Sequence, residues 1–186
     1  PSGARGEAGV AVLPLSPGWL ACRRPTPLLT TMASFALVCC ECGARCDEGA
    51  ASYVCPVCAR LQERGGVTRG VLTVAFAQPP TCWPAAPVGS ADWLLPFLPI
   101  SSRASLPPLA VGGTPLLDVP RLRRELGMPR LFVKDDTRNP SGSTKDRASQ
   151  LVVAKAGEHG FTTIVAASTG NAATALSCLA AAAGLE

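Results

Sequence analysis

Charge is scarce in this chain: Asp, Glu, Lys and Arg make up 16% of its 186 residues, against 47% hydrophobic residues. Such a balance can bury a core, which excludes global disorder. Clustered basic charge is absent as well. The 17 Lys and Arg residues are scattered and leave a net charge of +4, so nothing suggests a nucleic-acid binder. No internal repeat is present. The longest charge-free stretch, Phe161 to Leu185, is long enough to cross a bilayer. It carries Ser168, Thr169, Gly170 and Asn171 in its middle, and alanine, its commonest residue, is only weakly lipophilic. It reads as a strand, a loop and a helix, with no membrane partner.

An initiating methionine is absent too. The chain opens at Pro1, Pro and Gly are frequent through Thr31, and Met32 precedes "ASFALVCCECG". Residues 1–36 read as a leader, disordered or upstream of the true start at Met32. A secretory signal is the rival reading, but Pro14 and Pro17 break the apolar run that follows Arg5.

Cysteine is abundant by contrast. Nine cysteines cannot all pair within one chain, and four of them form two Cys-x-x-Cys pairs. Cys39-x-x-Cys42 and Cys55-x-x-Cys58 are twelve residues apart. Each pair can form a tight knuckle, and two knuckles offer four thiolates in a tetrahedron for structural Zn2+. A zinc-ribbon-like module over residues 37–60 is therefore expected. Metal binding there would supply about 10–16 kcal/mol of apparent free energy, enough to order a segment with little core. Cys40 and Cys46 are spare thiols, either of which could replace a ligand. Disulfides or a redox dithiol fit the spacing less well, and reduced thiols place the protein in the cytoplasm. The module has too few basic and aromatic residues for nucleic acid.

Residues 61–111 form a connection, and eight prolines over 78–108 predict an extended, non-helical path. From Gly112 the pattern becomes regular. "RLFVKD" (130–135) and "TTIVAAS" (162–168) read as strands. A helix is predicted from Ser143, where Ser143-x-x-Asp146 resembles a capping box. Its apolar face would comprise Ala148, Leu151, Val152 and Ala156, and Gly160 would stop it. A second helix is predicted over 172–183. Strand, helix, strand, helix argues for a parallel α/β sheet, with ligands at the carboxyl ends of its strands.

Two loops fall at those ends. In "NPSGSTKDR" (139–147), Lys145 stands at a helix start. There it faces the positive end of the helix dipole, and imine formation requires a neutral lysine. In "ASTGN" (167–171), unpaired N–H groups at a helix start can hold a carboxylate, with Ser168, Thr169 and Asn171 adding side-chain donors. Singly, each loop is most often just a solvated charge or a turn.

Together, "NPSGSTKDR" and "ASTGNAATAL" resemble the pyridoxal-phosphate enzymes of the tryptophan-synthase-β fold type, and within them most closely the threonine synthases. "GGTPLLDVPRLRRELGMPRLFVKDD" and "ADWLLPFLPI" carry the resemblance upstream, over roughly residues 39–186. The resemblance implies that residues 112–186 are the first part of a tryptophan-synthase-β-like domain. It implies that Lys145 holds pyridoxal 5'-phosphate covalently and shuttles protons at substrate carbons once freed. It implies that Asn171 contacts the phenolic oxygen of the cofactor, and that Ser168, Thr169 and Gly170 hold the substrate carboxylate. The expected reaction is a lyase step of amino-acid biosynthesis, O-phosphohomoserine to threonine plus phosphate, with a homodimer as an allowed assembly. Other reactions of the fold type, threonine dehydratase and cysteate synthase, remain alternatives. So does a non-catalytic zinc-ribbon protein with a remnant α/β domain. Thr144 departs from the family pattern, which often has Phe there. The later glycine-rich phosphate loop of the family does not occur, so the chain is expected to be a C-terminally truncated and inactive fragment.

Overall fold

The computed structural model describes residues 34–46, 48, 53–78 and 92–186. The expectations for residues 1–33 and for the proline-rich stretch 79–91 lie outside these.

The first body is a small antiparallel sheet in the order β2-β1-β3, made of β1 (Phe35–Cys39), β2 (Arg45–Cys46) and β3 (Leu72–Phe76). Its register sets Phe35 opposite Phe76, with their rings edge to face at 6.5 Å. Such cross-strand aromatic pairs stabilise a sheet that has almost no core of its own. β3 falls inside the segment expected to be a connection, so the fold around the cysteines reaches Phe76 and does not end at residue 60. β1 likewise begins within the expected leader.

Beyond the proline-rich stretch, the chain makes two short 3-10 turns, Asp92–Phe97 and Arg103–Ser105. This corrects the expectation of a wholly non-helical path. Leu95 and Ile100 are buried against Ala154, and that burial tightens the segment despite Pro96.

The regular part holds β4 (Leu116–Asp118), α1 (Pro120–Leu126), β5 (Phe132–Lys134), α2 (Asp146–Glu158) and α3 (Asn171–Ala182). β5 matches the strand expected over 130–135, but it pairs antiparallel with β4. Thr162 to Ser168 is extended without being part of an assigned strand. It does begin a parallel pairing: Glu186 N–H donates to Thr162 C=O at 2.9 Å, and Ile164 N–H donates to Glu186 C=O at 2.6 Å. Those two bonds straddle Thr163 in the parallel pattern. The chain is thus α/β, but both assigned sheets among the described residues are antiparallel. A strand needs neighbours along its length to register as one, and among the described residues this one bonds only to Glu186.

α2 buries Asp146, Ser149, Gln150, Val153 and Ala154, spaced three and four residues apart, together with Ala156. The expected face was partly wrong, because Val152 is about half exposed and Ala148 is exposed. Small and polar residues occupy the true seam, which hydropathy alone underweights. Gly160 ends the helix as expected, at φ 73°, a left-handed conformation that a side chain would disfavour.

α2 and α3 pack through Val153, Leu179 and Ala180, with Val111 completing the cluster. Leu179 is fully buried. Truncation of Leu179 to Ala is expected to cost about 2–5 kcal/mol, measured as a lower midpoint in denaturant unfolding. An unchanged midpoint would show that this cluster does not hold the helices together.

Candidate active site and metal centre

The loop before Lys145 is fixed by buried polar groups. Asn139 is almost fully buried. Its amide nitrogen donates to Asp136 C=O at 3.1 Å and Ser143 C=O at 3.2 Å, and its oxygen accepts from Gly112 N–H at 2.9 Å. Asn139 thereby ties the Gly112–Pro115 loop to the start of α2. Asp136 makes a second tie. It accepts from Arg147 at 2.8 and 2.6 Å and from the Thr114 hydroxyl at 2.7 Å, while Arg147 also donates to that hydroxyl at 3.0 Å. The Arg147 guanidinium, helped by the Thr114 hydroxyl, holds the Asp136 carboxyl well below the usual carboxylate range, against the opposing effect of burial.

The expected capping box takes a modified form. Ser143 Oγ accepts from Lys145 N–H at 3.1 Å, while the fully buried Asp146 carboxylate accepts from Ser141 N–H at 2.8 Å. Asp146 thus folds the loop back over the helix start. Lys145 is the N-cap residue of α2 and is exposed. Its amine has no hydrogen bond or ion pair among the described residues. The side chain sits on a rigid polar base and is itself free.

Ser168, Thr169, Gly170 and Asn171 are all exposed at the start of α3. Gly170 N–H donates to Ser168 Oγ at 3.3 Å. The N–H groups of Thr169, Asn171 and Ala172 have no partner among the described residues, leaving a first helical turn open to an anion. Helix direction relates the two loops. Val153 and Leu179 each sit about two turns inside their helices and pack together. The last turns, at Gly157–Glu158 and Ala182–Ala183, line one cavity. The helices therefore run the same way, and Lys145 and the Ser168–Asn171 loop lie at the same end of the pair.

The cysteine sheet brings Cys39, Cys42, Cys55 and Cys58 together, with all four sulfurs within 4.8 Å of one another. Cys39 Sγ lies 3.7 Å from Cys58 Sγ, and Cys42 Sγ lies 3.8 Å from Cys55 Sγ. A tetrahedron with metal–sulfur bonds of about 2.3 Å has edges of about 3.8 Å, so the cluster fits a metal ion. Cys46 packs beside the cluster and Cys40 is exposed; neither belongs to the set of four. The backbone N–H of Cys58 is the main influence lowering the Cys55 thiol, to about 7, whereas the Cys42 sulfur and burial push the Cys58 thiol up to about 12.

Sequence reading missed what braces the knuckles. Gly70 approaches them at φ 71°, and a Cβ there would lie 2.8 Å from Cys58 Cβ. Its carbonyl accepts from Cys55 N–H at 2.7 Å. Its N–H donates at 2.7 Å to Glu41, which Arg69 also grips at 2.8 and 3.1 Å. The "TRG" of residues 68–70 gave no periodic signal. The Thr114–Asp136–Arg147 network was equally hidden, since its members are separated in sequence.

Residues 108–186 match the family model described as pyridoxal-phosphate dependent enzyme. The threonine synthase of Synechocystis sp. is 37% identical over 115 residues, which is 58% of this chain and 30% of that protein. The threonine synthase of Halalkalibacterium halodurans is 44% identical over 90 residues, 48% of this chain and 25% of that protein. The threonine synthase of Methanosarcina acetivorans is 32% identical over 157 residues, 80% of this chain and 35% of that protein. The chain thus spans about a third of these relatives or less. No solved structure matches.

Two outcomes test this geometry. Asp136 is more acidic when folded than when unfolded, so its contribution to stability is fully present above the unfolded value of about pH 4 and is lost progressively as the pH falls below that toward the lower folded value. Asp136→Ala should remove about 2–3 kcal/mol at neutral pH and flatten the acid limb of the stability profile. Gly70→Ala should weaken metal binding, read by competition with a chromogenic chelator; unaltered affinity would refute the crowding beneath the knuckles.

Proposed function

From the premise that residues 108–186 belong to the pyridoxal-phosphate dependent enzymes, we propose that the protein is a carbon–oxygen lyase of the threonine synthase type. It converts O-phosphohomoserine and water to threonine and phosphate, with Lys145 as its cofactor-bearing residue. The observation that carries this reading is an exposed amine without a partner among the described residues, set on a buried polar base at the same end of a helix pair as an open first turn of N–H groups. A lysine in that setting fits a carbonyl-bearing cofactor, and the open turn fits an anion.

Pyridoxal phosphate, when bound, supplies the electron sink for chemistry next to the amino group of the substrate. The residues of the chain do the rest. Lys145 Nζ would hold the cofactor and would move protons at substrate carbons. Asn171, the first residue of α3, orients the cofactor ring through its phenolic oxygen. Ser168, Thr169 and Gly170 bind the substrate carboxylate with side-chain hydroxyls and backbone N–H groups. Arg147 and Asp136 act on the scaffold: their mutual pair keeps the Gly112–Pro115 loop against the start of α2.

The four cysteines hold Zn2+ in a structural role, since their nearly closed sulfur tetrahedron leaves little room for a fifth ligand. The thiols must be kept reduced for this, which fits the cytoplasm.

The test is chemical trapping in protein expressed from its complete reading frame and incubated with pyridoxal phosphate. Borohydride reduction followed by peptide mapping should place the pyridoxyl group on Lys145. Lys145→Ala should lose the visible absorption band, and Asn171→Ala should weaken cofactor binding by up to about tenfold, the value of one hydrogen bond. A label on other lysines, with none on Lys145, overturns the assignment.

A further inference from the structure

The cysteine sheet and the helices do not share an apolar core among the described residues. Cys39, Cys55 and Cys58 cluster with Ala44, Cys46 and Leu72, all within the sheet or its knuckles. Val153 and Leu179 anchor a separate cluster, and Leu95 and Ile100 a third. Something other than hydrophobic packing must join the metal module to the rest.

Lys155 sits at that junction. It lies on α2, about three turns beyond Lys145. Its amine pairs with Glu48, in the loop between the two cysteine pairs, and lies 5.3 Å from the ring centre of Phe35, at the start of β1. It also pairs with Glu158 at 2.6 Å, and Glu158 accepts from Ser101 N–H at 2.6 Å. One cation thus meets the cysteine loop, the first strand and the last turn of α2, with Glu158 extending the tie to the 100–105 segment.

These groups are not freely solvated. Lys155 keeps 24% of its side-chain surface exposed, Glu158 keeps 11% and Glu48 keeps 33%. Burial pushes the Glu158 carboxyl up, yet Lys155, Ser105 and the Ser101 N–H together hold it at about 2. Partly buried charges left without an opposite charge are costly, and here each of the three faces one, so the arrangement resists opening at any of them. An exposed pair elsewhere, such as Arg121 with Glu125, has no comparable leverage.

We propose that Lys155 is a positioning residue that locks the cysteine module onto α2, so that metal binding at the four thiols and order along the helix that begins at Lys145 rise and fall together. The inference rests on the metal reading of the cysteines given above and is independent of the chemistry assigned to Lys145. The physical route is short. Metal fixes the two knuckles and the loop between them, which holds Glu48 in place. Glu48 and Phe35 then hold Lys155, and Lys155 holds the C-terminal half of α2. By linkage, anything that loosens α2 must in turn weaken metal binding.

The test is amide hydrogen exchange, read peptide by peptide on the full chain, with Zn2+ bound and after chelation. Metal content is measured in parallel. In the unaltered protein, chelation should speed exchange in the cysteine sheet and also in α2 by roughly fivefold or more, the lower end of ordinary coupling between sites. In Lys155→Met, which keeps the apolar stem, chelation should affect the sheet and leave α2 unchanged. Glu48→Gln, which leaves α2 unaltered, should uncouple the two in the same way. An α2 that ignores chelation in the metal-loaded protein overturns the inference, as does an equal α2 response in either variant. A chain that takes up no Zn2+ overturns the metal reading and this inference with it.

Discussion

The Asp136–Arg147 pair is the constraint on which the candidate site depends. It is bidentate, partly buried and shared with the Thr114 hydroxyl. Through it the first turn of α2 is bound to a loop more than thirty residues earlier, at Thr114. Asn139 repeats the connection with neutral groups, reaching Gly112 on one side and Ser143 on the other. The result is a loop whose backbone is held by one buried side chain, Asn139, and a half-buried ion pair. Lys145 can then stand exposed without a partner while its backbone stays fixed. A flexible loop would give the same amine many positions, and ordering it on each binding event would cost conformational entropy.

The two halves of the chain reach order by different physical means. Around the helices, Val111, Val153 and Leu179 supply an apolar cluster, and small residues such as Ala154 and Ala180 allow close approach. Around the cysteines there is almost no apolar volume to bury. The sheet there relies on an aromatic pair, on the bracing of Gly70 by Glu41 and on four sulfurs at metal-binding separation. A module with so little core would gain order from a metal held by those sulfurs. Lys155 joins this module to a helix with a core of its own.

Much of this was legible in the sequence, for reasons that differ by residue. The clustering of the four cysteines was readable because two Cys-x-x-Cys knuckles at this spacing can close on one point. α2 and α3 were readable because Gly160 and Gly184 punctuate them and helical spacing is a local property. The face of α2 was misread at Ala148 and Val152, because its seam is built from Ser149, Gln150 and Ala154, whose burial comes from tertiary contacts. β3 reads as part of a connection although "LTVAF" has strand-forming residues, since its partner among the described residues, β1, is more than thirty positions away. The sense of pairing departs from the expected parallel one at β5, which is antiparallel to β4, and agrees with it where Glu186 meets Thr163. Periodicity reveals a strand, but its neighbour decides whether the pairing is parallel. The salt-bridge network and Lys155 left no local pattern at all, because ion pairs across the fold join residues that sequence spacing does not relate.

The central claim is that Lys145 and the Ser168–Asn171 turn lie at the same end of two helices that run the same way, with the amine free to bond. An experimental structure of the protein measures this most directly. Lys145 Nζ should face the same cleft as the N–H groups of Thr169 and Asn171, without a carboxylate partner. Helices found running in opposite directions, or Lys145 held in an ion pair away from that turn, would contradict it.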